Sequence, residues 1–207
     1  SYGPLSAWYD KLTGDIPYRE FADFYKARFY DDGGEFKTLL DLCCGTGTLT
    51  AMMAQDGFEM IAADASPDML MQASGKASGA KIAPLYLCQG AAELDPYGLF
   101  IFDIKTPECF RSLDGEVFVD ETDDVLCLWR ADFSEREQCI CYGMDIFSRR
   151  GKLWQRECEE HVEYAHAPAM LKAELERAGF EDVRFFTDCP QGGSGRMFIS
   201  AKNTSIY

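Results

Sequence analysis

The stretch "TLLDLCCGTGTLTAMMAQDG", Thr38 to Gly57, decides how the chain is interpreted. Its first residues form an apolar run that is typical of a buried parallel strand. The run turns through Gly45-Thr46-Gly47 into a segment with apolar residues at helical intervals, and Gly57 lies where a glycine often follows a helix. The pattern predicts a strand, a tight glycine turn and a helix, which is how enzymes that bind a nucleoside cofactor begin.

The spacing of the glycines separates two kinds of nucleoside cofactor. A dinucleotide fingerprint requires G-x-G-x-x-G, and Thr50 occupies the position of its third glycine. What remains is Asp41 at the strand end, followed by Cys43-x-Gly45-x-Gly47. This loop resembles the D-x-G-x-G-x-G loop of class I S-adenosylmethionine-dependent methyltransferases, with Cys43 in the place of the first glycine. The resemblance implies that Asp41, Cys43, Gly45 and Gly47 hold the methionine part of S-adenosylmethionine.

A second acid, Asp64, ends the next predicted strand. Nucleoside-binding folds place at this point a carboxylate that bonds the ribose hydroxyls, and the alternative is an ordinary turn aspartate before a helix that Ser66 caps. The run "DASPDML" resembles the D-x-S-x-x-M-L run of bacterial methyltransferases. That resemblance implies that Ala65 and Met69 flank the adenine, whereas packing in the core is the other interpretation of Met69.

The third strand, predicted over 82–88, lies too close to the next apolar run, 96–103. A parallel crossover takes about a dozen residues or more, and fewer are available between them. The resemblance also implies a fourth strand with its helices at this point, and "AAEL", 91–94, looks like the end of one such helix. The sequence therefore predicts that a segment of the family pattern is missing near Gln89-Gly90.

Apolar and polar residues alternate between residues 111 and 166, which predicts an antiparallel meander. Because ligands of open α/β sheets bind at the carboxyl ends of the strands, we expect this insertion to be a lid over the acceptor or a homodimer contact. Trp129, Arg130 and His161 are candidate substrate residues, Arg130 for an anionic group. Core packing of Trp129 and a plain sheet-face position of His161 are the alternatives. The predicted strands cover 116–120, 124–133, 137–147 and 152–164.

The two ends of the chain extend the resemblance. After a helix from 167 to 178, two strands resemble the antiparallel hairpin that closes the class I methyltransferase sheet. The segment "WYDKLTGDIPYREFADF" is similar to the Y-D-x-L-x-x-D-x-P-Y segment of a group of bacterial enzymes. By that analogy Tyr9 and Tyr18 close the cofactor pocket, and the alternative is an aromatic stripe that packs on the body of the protein.

The predicted fold class is therefore α/β, with a Rossmann-like class I methyltransferase sheet. The sheet is parallel with an antiparallel closing hairpin, helices cover both faces, and an antiparallel β insertion is added. The predicted parts are an N-terminal helical segment, 1–36; the cofactor-binding core, 37–110; the insertion or lid, 111–166; and the C-terminal part of the core, 167–207.

Composition limits the partners. The chain has 35 acidic and 20 basic residues, a net charge of −15. Nucleic acids and anionic membrane surfaces require clustered Lys and Arg, so both are disfavoured. The nine cysteines lie mostly in apolar runs without a C-x-x-C pair or a companion histidine cluster. They predict a reduced, cytoplasmic protein without a zinc site, and no signal peptide or membrane-spanning segment is expected.

The sequence thus predicts methyl transfer from S-adenosylmethionine to a small-molecule acceptor by direct displacement. This reaction requires alignment and exclusion of water and needs no metal, and no residue is predicted as the catalytic base. An NAD-dependent oxidoreductase is one alternative. A non-catalytic S-adenosylmethionine-binding or interaction protein is another, because the Cys43 side chain fills space that glycine leaves open. A reactive cysteine pair at 43–44 is a further one.

Overall fold

A computed structural model of the chain describes residues 3–88, 98–191 and 195–203. These residues form two compact units, one made of the described residues up to 88 and the other of those from 98 onwards. The segment around Gln89-Gly90, the run at 91–94 and the first residues of the predicted strand at 96–103 lie outside the described ranges. Within those ranges, no helix is both long enough and apolar enough to cross a membrane.

The first unit is a parallel α/β sheet with its helices. Strands β1, β2 and β3 pair in parallel in that order, with Leu40 opposite Ile61 and Ala63 opposite Leu87. The helices α3 and α4 pack together, and Ala22, Met53 and Met60 form the buried centre of this packing. The elements are α1 (Gly3–Ser6), α2 (Tyr9–Leu12), α3 (Tyr18–Asp31), β1 (Thr38–Leu42), α4 (Thr48–Gln55), β2 (Glu59–Asp64), α5 (Pro67–Ala73) and β3 (Leu85–Cys88).

The local signals of the first unit act as predicted, with one correction. Ser66 caps α5, because its side chain accepts a hydrogen bond from the Met69 amide at 3.4 Å. Gly57 lies directly after Asp56, the C-cap residue of α4, and has a φ of +105°. The prediction of strand over 82–84 is wrong, since pairing of β3 begins at Leu85. Pro84 has no amide hydrogen to give to a ladder, and this explains the late start.

The second unit contains two antiparallel sheets, and the predicted meander and closing hairpin are both confirmed. Strand β10 lies between β4 and β9, and β5, β6, β7 and β8 pair in chain order. The elements are β4 (Leu99–Lys105), α6 (Pro107–Ser112), β5 (Val117–Glu121), β6 (Val125–Ser134), β7 (Cys139–Arg150), β8 (Leu153–Tyr164), α7 (Pro168–Arg177), β9 (Phe180–Phe186) and β10 (Arg196–Asn203).

The four-stranded sheet has two chemically different faces, because side chains alternate along each strand. We call one the Tyr142 face; it also carries Trp129, Met144, Glu159 and His161, which the strand register brings side by side. The other, the Arg130 face, carries Arg130, Asp145, Arg156 and Glu160. The Tyr142 face meets the end of β4, since the Lys105 ammonium lies 3.2 Å from the Tyr142 hydroxyl and 2.9 Å from a Glu163 carboxylate oxygen.

Candidate functional site

The loop between β1 and α4 has an unusual backbone. Cys43, Gly45 and Gly47 have φ angles of 57°, 54° and 70°, which lie in the left-handed region. This region costs a residue with a side chain about 1–2 kcal/mol, so glycine is preferred there. Cys43 therefore has a backbone conformation that suits glycine, and its side chain is exposed.

The two glycines of the loop meet different surroundings. A Cβ atom on Gly47 would lie 2.7 Å from the Cβ of Ala73 in α5, so this glycine lets the loop pack directly on the helix. A Cβ atom on Gly45 would meet nothing within 4 Å. The loop is thus packed at Gly47 and open at Gly45, where a ligand could approach the backbone.

Asp64 joins the end of β2 to this loop. Its Oδ2 accepts a hydrogen bond from the Gly45 amide at 2.9 Å, and its Oδ1 accepts one from the Ser66 amide at 2.8 Å. Asp64 thus bonds the turn before α5, as a turn aspartate does, and its bond to Gly45 is an additional link to the loop. A carboxylate offers about four acceptor positions, so each oxygen of Asp64 can still accept a hydroxyl hydrogen.

Asp41 lies half-buried at the end of β1 and accepts a hydrogen bond from the buried Thr50 hydroxyl. Burial raises the pKa of the Asp41 carboxyl to about 6, and the nearby Asp64 raises it further while the Thr50 bond opposes the shift. Above pH 6 the side chain is mainly ionised and offers a negative charge to a cationic ligand. Thr50 thus has a structural task at the position that a dinucleotide fingerprint gives to glycine.

The adjacent thiols do not have the properties of nucleophiles. Burial raises the pKa of Cys44 to about 12 and also raises that of Cys43, and the carboxylates of Asp41 and Asp64 add to both shifts. Both thiols are therefore protonated at neutral pH, whereas only a thiolate is a strong nucleophile. This counts against a reactive cysteine pair.

The remaining residues predicted near the cofactor lie in different environments. Ala65 is exposed directly after Asp64, whereas Met69 is 2% exposed and is part of the core of the first unit. Tyr9 is half-buried in α2. Tyr18 begins α3, where its ring packs edge-on against Phe21 at 6.5 Å. In this structure Met69 therefore packs as a core residue.

The predicted substrate residues of the insertion fall on opposite faces. Trp129 and His161 lie on the Tyr142 face, where His161 Nε2 is 3.0 Å from a carboxylate oxygen of Glu159. Arg130 lies on the opposite face, where its guanidinium donates a hydrogen bond to the Asp145 carboxylate at 2.7 Å. This bond, with those from Cys158 and Arg156, holds the pKa of the Asp145 carboxyl well below its usual range. Arg130 is therefore already engaged in an ion pair.

Two charged residues that bond the loop are not among the predicted site residues. Asp10 in α2 accepts a hydrogen bond from the Thr46 hydroxyl at 2.6 Å, and Lys76 donates to the Thr48 hydroxyl at 2.8 Å. Asp10 belongs to the segment that resembles Y-D-x-L-x-x-D-x-P-Y, but nothing in the sequence pairs it with Thr46, 36 positions away, or pairs Lys76 with Thr48, 28 positions away. Among the described residues, no group of three or more potential ligands could hold a metal ion.

Parallel strands, a left-handed glycine loop and acids at the ends of two adjacent strands are features by which Rossmann-like folds bind nucleoside cofactors. Residues 39–106 match the family described as "Methyltransferase domain". A protein of Bacillus subtilis (strain 168), provisionally named methyltransferase YqeM, is 25% identical over 248 aligned positions, which cover 98% of this chain and 97% of YqeM.

Solved structures share the fold along the whole chain. A structure described as an S-adenosylmethionine-dependent methyltransferase from Clostridium acetobutylicum ATCC 824 is 22% identical with a TM-score of 0.80, over 99% of both chains. The sugar N-methyltransferase KedS8 from Streptoalloteichus sp ATCC 53650 is 16% identical with a TM-score of 0.80, over 99% of this chain and 95% of KedS8. Residues 39–106 thus match a methyltransferase domain family, and the chain has the fold of S-adenosylmethionine-dependent methyltransferases.

The two loop glycines give a matched test of this geometry. Gly45→Ala should lower the free energy of unfolding by about 1–2 kcal/mol, because only the left-handed backbone is penalised. Gly47→Ala should cost about 1–3 kcal/mol more, because its Cβ also collides with Ala73. Urea unfolding of both variants and the wild type measures the difference. Equal losses would show that α5 does not pack against Gly47 as described.

Proposed function

We propose that the chain binds S-adenosylmethionine at the loop of residues 43–47 and transfers its methyl group to a small-molecule acceptor. One observation carries the proposal: Asp41 and Asp64 lie at the ends of adjacent parallel strands, and the glycine loop is bonded to Asp64 between them. In this assignment Asp41 and the backbone of the loop receive the methionine part, and Asp64 receives the ribose hydroxyls.

The chemistry of these residues suits the parts of the cofactor. The methionine part carries an ammonium group, for which an ionised Asp41 is an opposite charge, directly or through water. The open space at Gly45 allows close approach to the backbone. When bound, S-adenosylmethionine supplies a methyl group that its sulfonium already activates. The chain therefore has to align the acceptor and exclude water, which is the larger part of catalysis in such displacements.

Two alternatives are weakened by particular residues. An NAD-dependent oxidoreductase would need a glycine where Thr50 is fully buried and bonded to Asp41. The second alternative, a non-catalytic protein, would be favoured if the Cys43 side chain had changed the backbone conformation of the loop. Cys43 instead keeps the left-handed conformation that suits glycine. Both observations favour S-adenosylmethionine.

We further propose that the acceptor contacts the Tyr142 face of the insertion. Within the second unit this face meets the Lys105 ammonium at the end of β4, and it carries the Trp129 indole and the His161 imidazole, groups that can bind a polar acceptor. Trp129 and His161 would then line the acceptor, and the Glu159 carboxylate orients the His161 ring. The similarity to a sugar N-methyltransferase favours an acceptor with an amine group.

Other proposals complete this assignment. The finer division at residues 36, 110 and 166 stays a prediction, as does a homodimer contact by the insertion.

The alignment with YqeM extends over 248 positions, whereas this chain has 207 residues, so YqeM has residues that this chain lacks. This supports a missing segment in the family pattern. All nine cysteines are unpaired, which supports a reducing, cytoplasmic location.

Calorimetric titration with S-adenosylhomocysteine, with NADH in parallel, tests the cofactor. We expect binding of S-adenosylhomocysteine alone. Asp64→Ala should lose it, because both the ribose acceptor and the bond to Gly45 disappear, and the exposed Asp68→Ala in α5 should retain it. Binding of NADH, or of neither ligand by a folded wild type, would contradict the proposal.

The pKa of Asp41 predicts how this affinity depends on pH. A carboxyl with a pKa of about 6 is about one-tenth ionised at pH 5 and nine-tenths ionised at pH 7. Only the ionised form attracts the ammonium group, so affinity for S-adenosylhomocysteine should rise up to about tenfold over this interval. Asp41→Asn should bind more weakly at pH 7 and show no such rise. An unchanged slope in this variant would exclude Asp41 as the titrating group.

Methyl transfer to a panel of amino sugars tests the acceptor face. We assign His161 to accepting a proton from the acceptor amine, and we therefore expect His161→Gln to lower the rate of S-adenosylhomocysteine formation about 100-fold or more. The neighbouring Glu160→Gln changes a side chain of the Arg130 face and should keep the wild-type rate. If both variants have the same rate, the Tyr142 face does not receive the acceptor.

A further inference from the structure

The N-terminal helix α2 is bonded directly to the loop that we assign to the cofactor. The Asp10 carboxylate accepts hydrogen bonds from the Thr46 hydroxyl and from the Lys76 ammonium, each at 2.6 Å. Lys76 follows α5 and also donates to the Thr48 hydroxyl at 2.8 Å. Asp10 therefore links three separate parts of the first unit: α2, the loop and the turn after α5.

These bonds hold the loop on both sides of Gly47. Thr46 is 2% exposed, and its hydroxyl would have to find another partner if the Asp10 carboxylate were absent. Thr48, the first residue of α4, is held by Lys76. The residue between them has a φ of 70°, so the bonded hydroxyls flank a left-handed turn.

Contacts that hold a glycine-containing loop in one conformation favour ligand binding. Glycine is the most flexible residue, and a loop with Gly45 and Gly47 loses much conformational entropy when it is ordered. For a ligand that needs one loop conformation, the apparent affinity is the intrinsic affinity multiplied by the fraction of molecules that have that conformation. Contacts that hold the loop before binding therefore raise the affinity for the cofactor.

We propose that Asp10 is a positioning residue: with Lys76 it holds the glycine loop in its cofactor-binding conformation. We call this contact the Asp10 clasp. The proposal rests on the proposed function, because it gives the affinity for the cofactor a determinant outside the loop. The alternative is that the clasp only attaches the N-terminal segment to the unit.

The exposure of the two charges limits the size of the effect. The side chains of Asp10 and Lys76 are 46% and 24% exposed, so solvent and salt screen their attraction. We therefore expect affinity to fall about 3- to 10-fold, and to depend on ionic strength. Asp10→Asn keeps an oxygen for Thr46 and loses the charge, whereas Asp10→Ala loses both, so the alanine variant should have the larger effect.

The test compares Asp10→Asn and Asp10→Ala with Glu20→Gln, which removes one negative charge from an exposed position nearby that lies outside the Y-D-x-L-x-x-D-x-P-Y segment. S-adenosylhomocysteine is titrated into each at low and high salt. Hydrogen exchange of the amides of residues 43–48 is measured without any ligand. We expect the Asp10 variants to bind more weakly, to lose part of the salt dependence and to exchange these amides faster, with unchanged exchange in β2. Glu20→Gln should match the wild type. Asp10→Asn with Lys76→Met should cost less than the sum of the single changes.

The binding measurement and the hydrogen-exchange measurement together distinguish failure of the proposed function from failure of the Asp10 clasp. If the wild type does not bind S-adenosylhomocysteine, the proposed function fails, and the exchange data still decide whether Asp10 holds the loop. If the wild type binds and the Asp10 variants bind equally well with unchanged exchange at 43–48, the Asp10 clasp is overturned. Lower global stability of the Asp10 variants with unchanged affinity and loop exchange would show that the contact only attaches the N-terminal segment, and it would overturn the proposal as well.

Discussion

The hydrogen bond from the Gly45 amide to Asp64 is the interaction on which the first unit depends. It joins the end of one strand to the loop that follows its neighbour, at the point where the backbone turns left-handed. Without it, the loop would have to satisfy a half-buried amide in another way while keeping a costly conformation. The position of α4, the approach of Gly47 to α5 and the open backbone at Gly45 all follow from this turn.

The same loop is held by carboxylates from three directions. Asp64 bonds a backbone amide, Asp41 accepts from Thr50, and Asp10 accepts from Thr46. Every other residue in "TGTLT" is a threonine, and each hydroxyl has a charged partner. An acidic protein thus uses part of its negative charge to order one loop, and the two strand-end carboxylates keep acceptor positions for a ligand.

The insertion shows how alternation sorts residues that are adjacent in the chain. Trp129 and Arg130 follow each other, yet one lies on the Tyr142 face and the other on the opposite face, bonded to Asp145. Because strand side chains point alternately to the two faces, only one of the pair can contact a ligand on a given side. The contact of Lys105 with Tyr142 distinguishes the faces, since it marks the one at the end of β4.

The sequence by itself determined the features that depend on neighbouring residues. The cap at Ser66, the glycine after α4, the antiparallel strands and the acids at the ends of β1 and β2 all follow from local pattern and turn chemistry. Tertiary structure decided the features that join distant residues. It buried Met69, paired Arg130 with Asp145 and brought Asp10 to Thr46 and Lys76. The physical reason is that periodicity reports which face of an element is apolar, whereas the partner of a polar side chain depends on how separate elements pack in space.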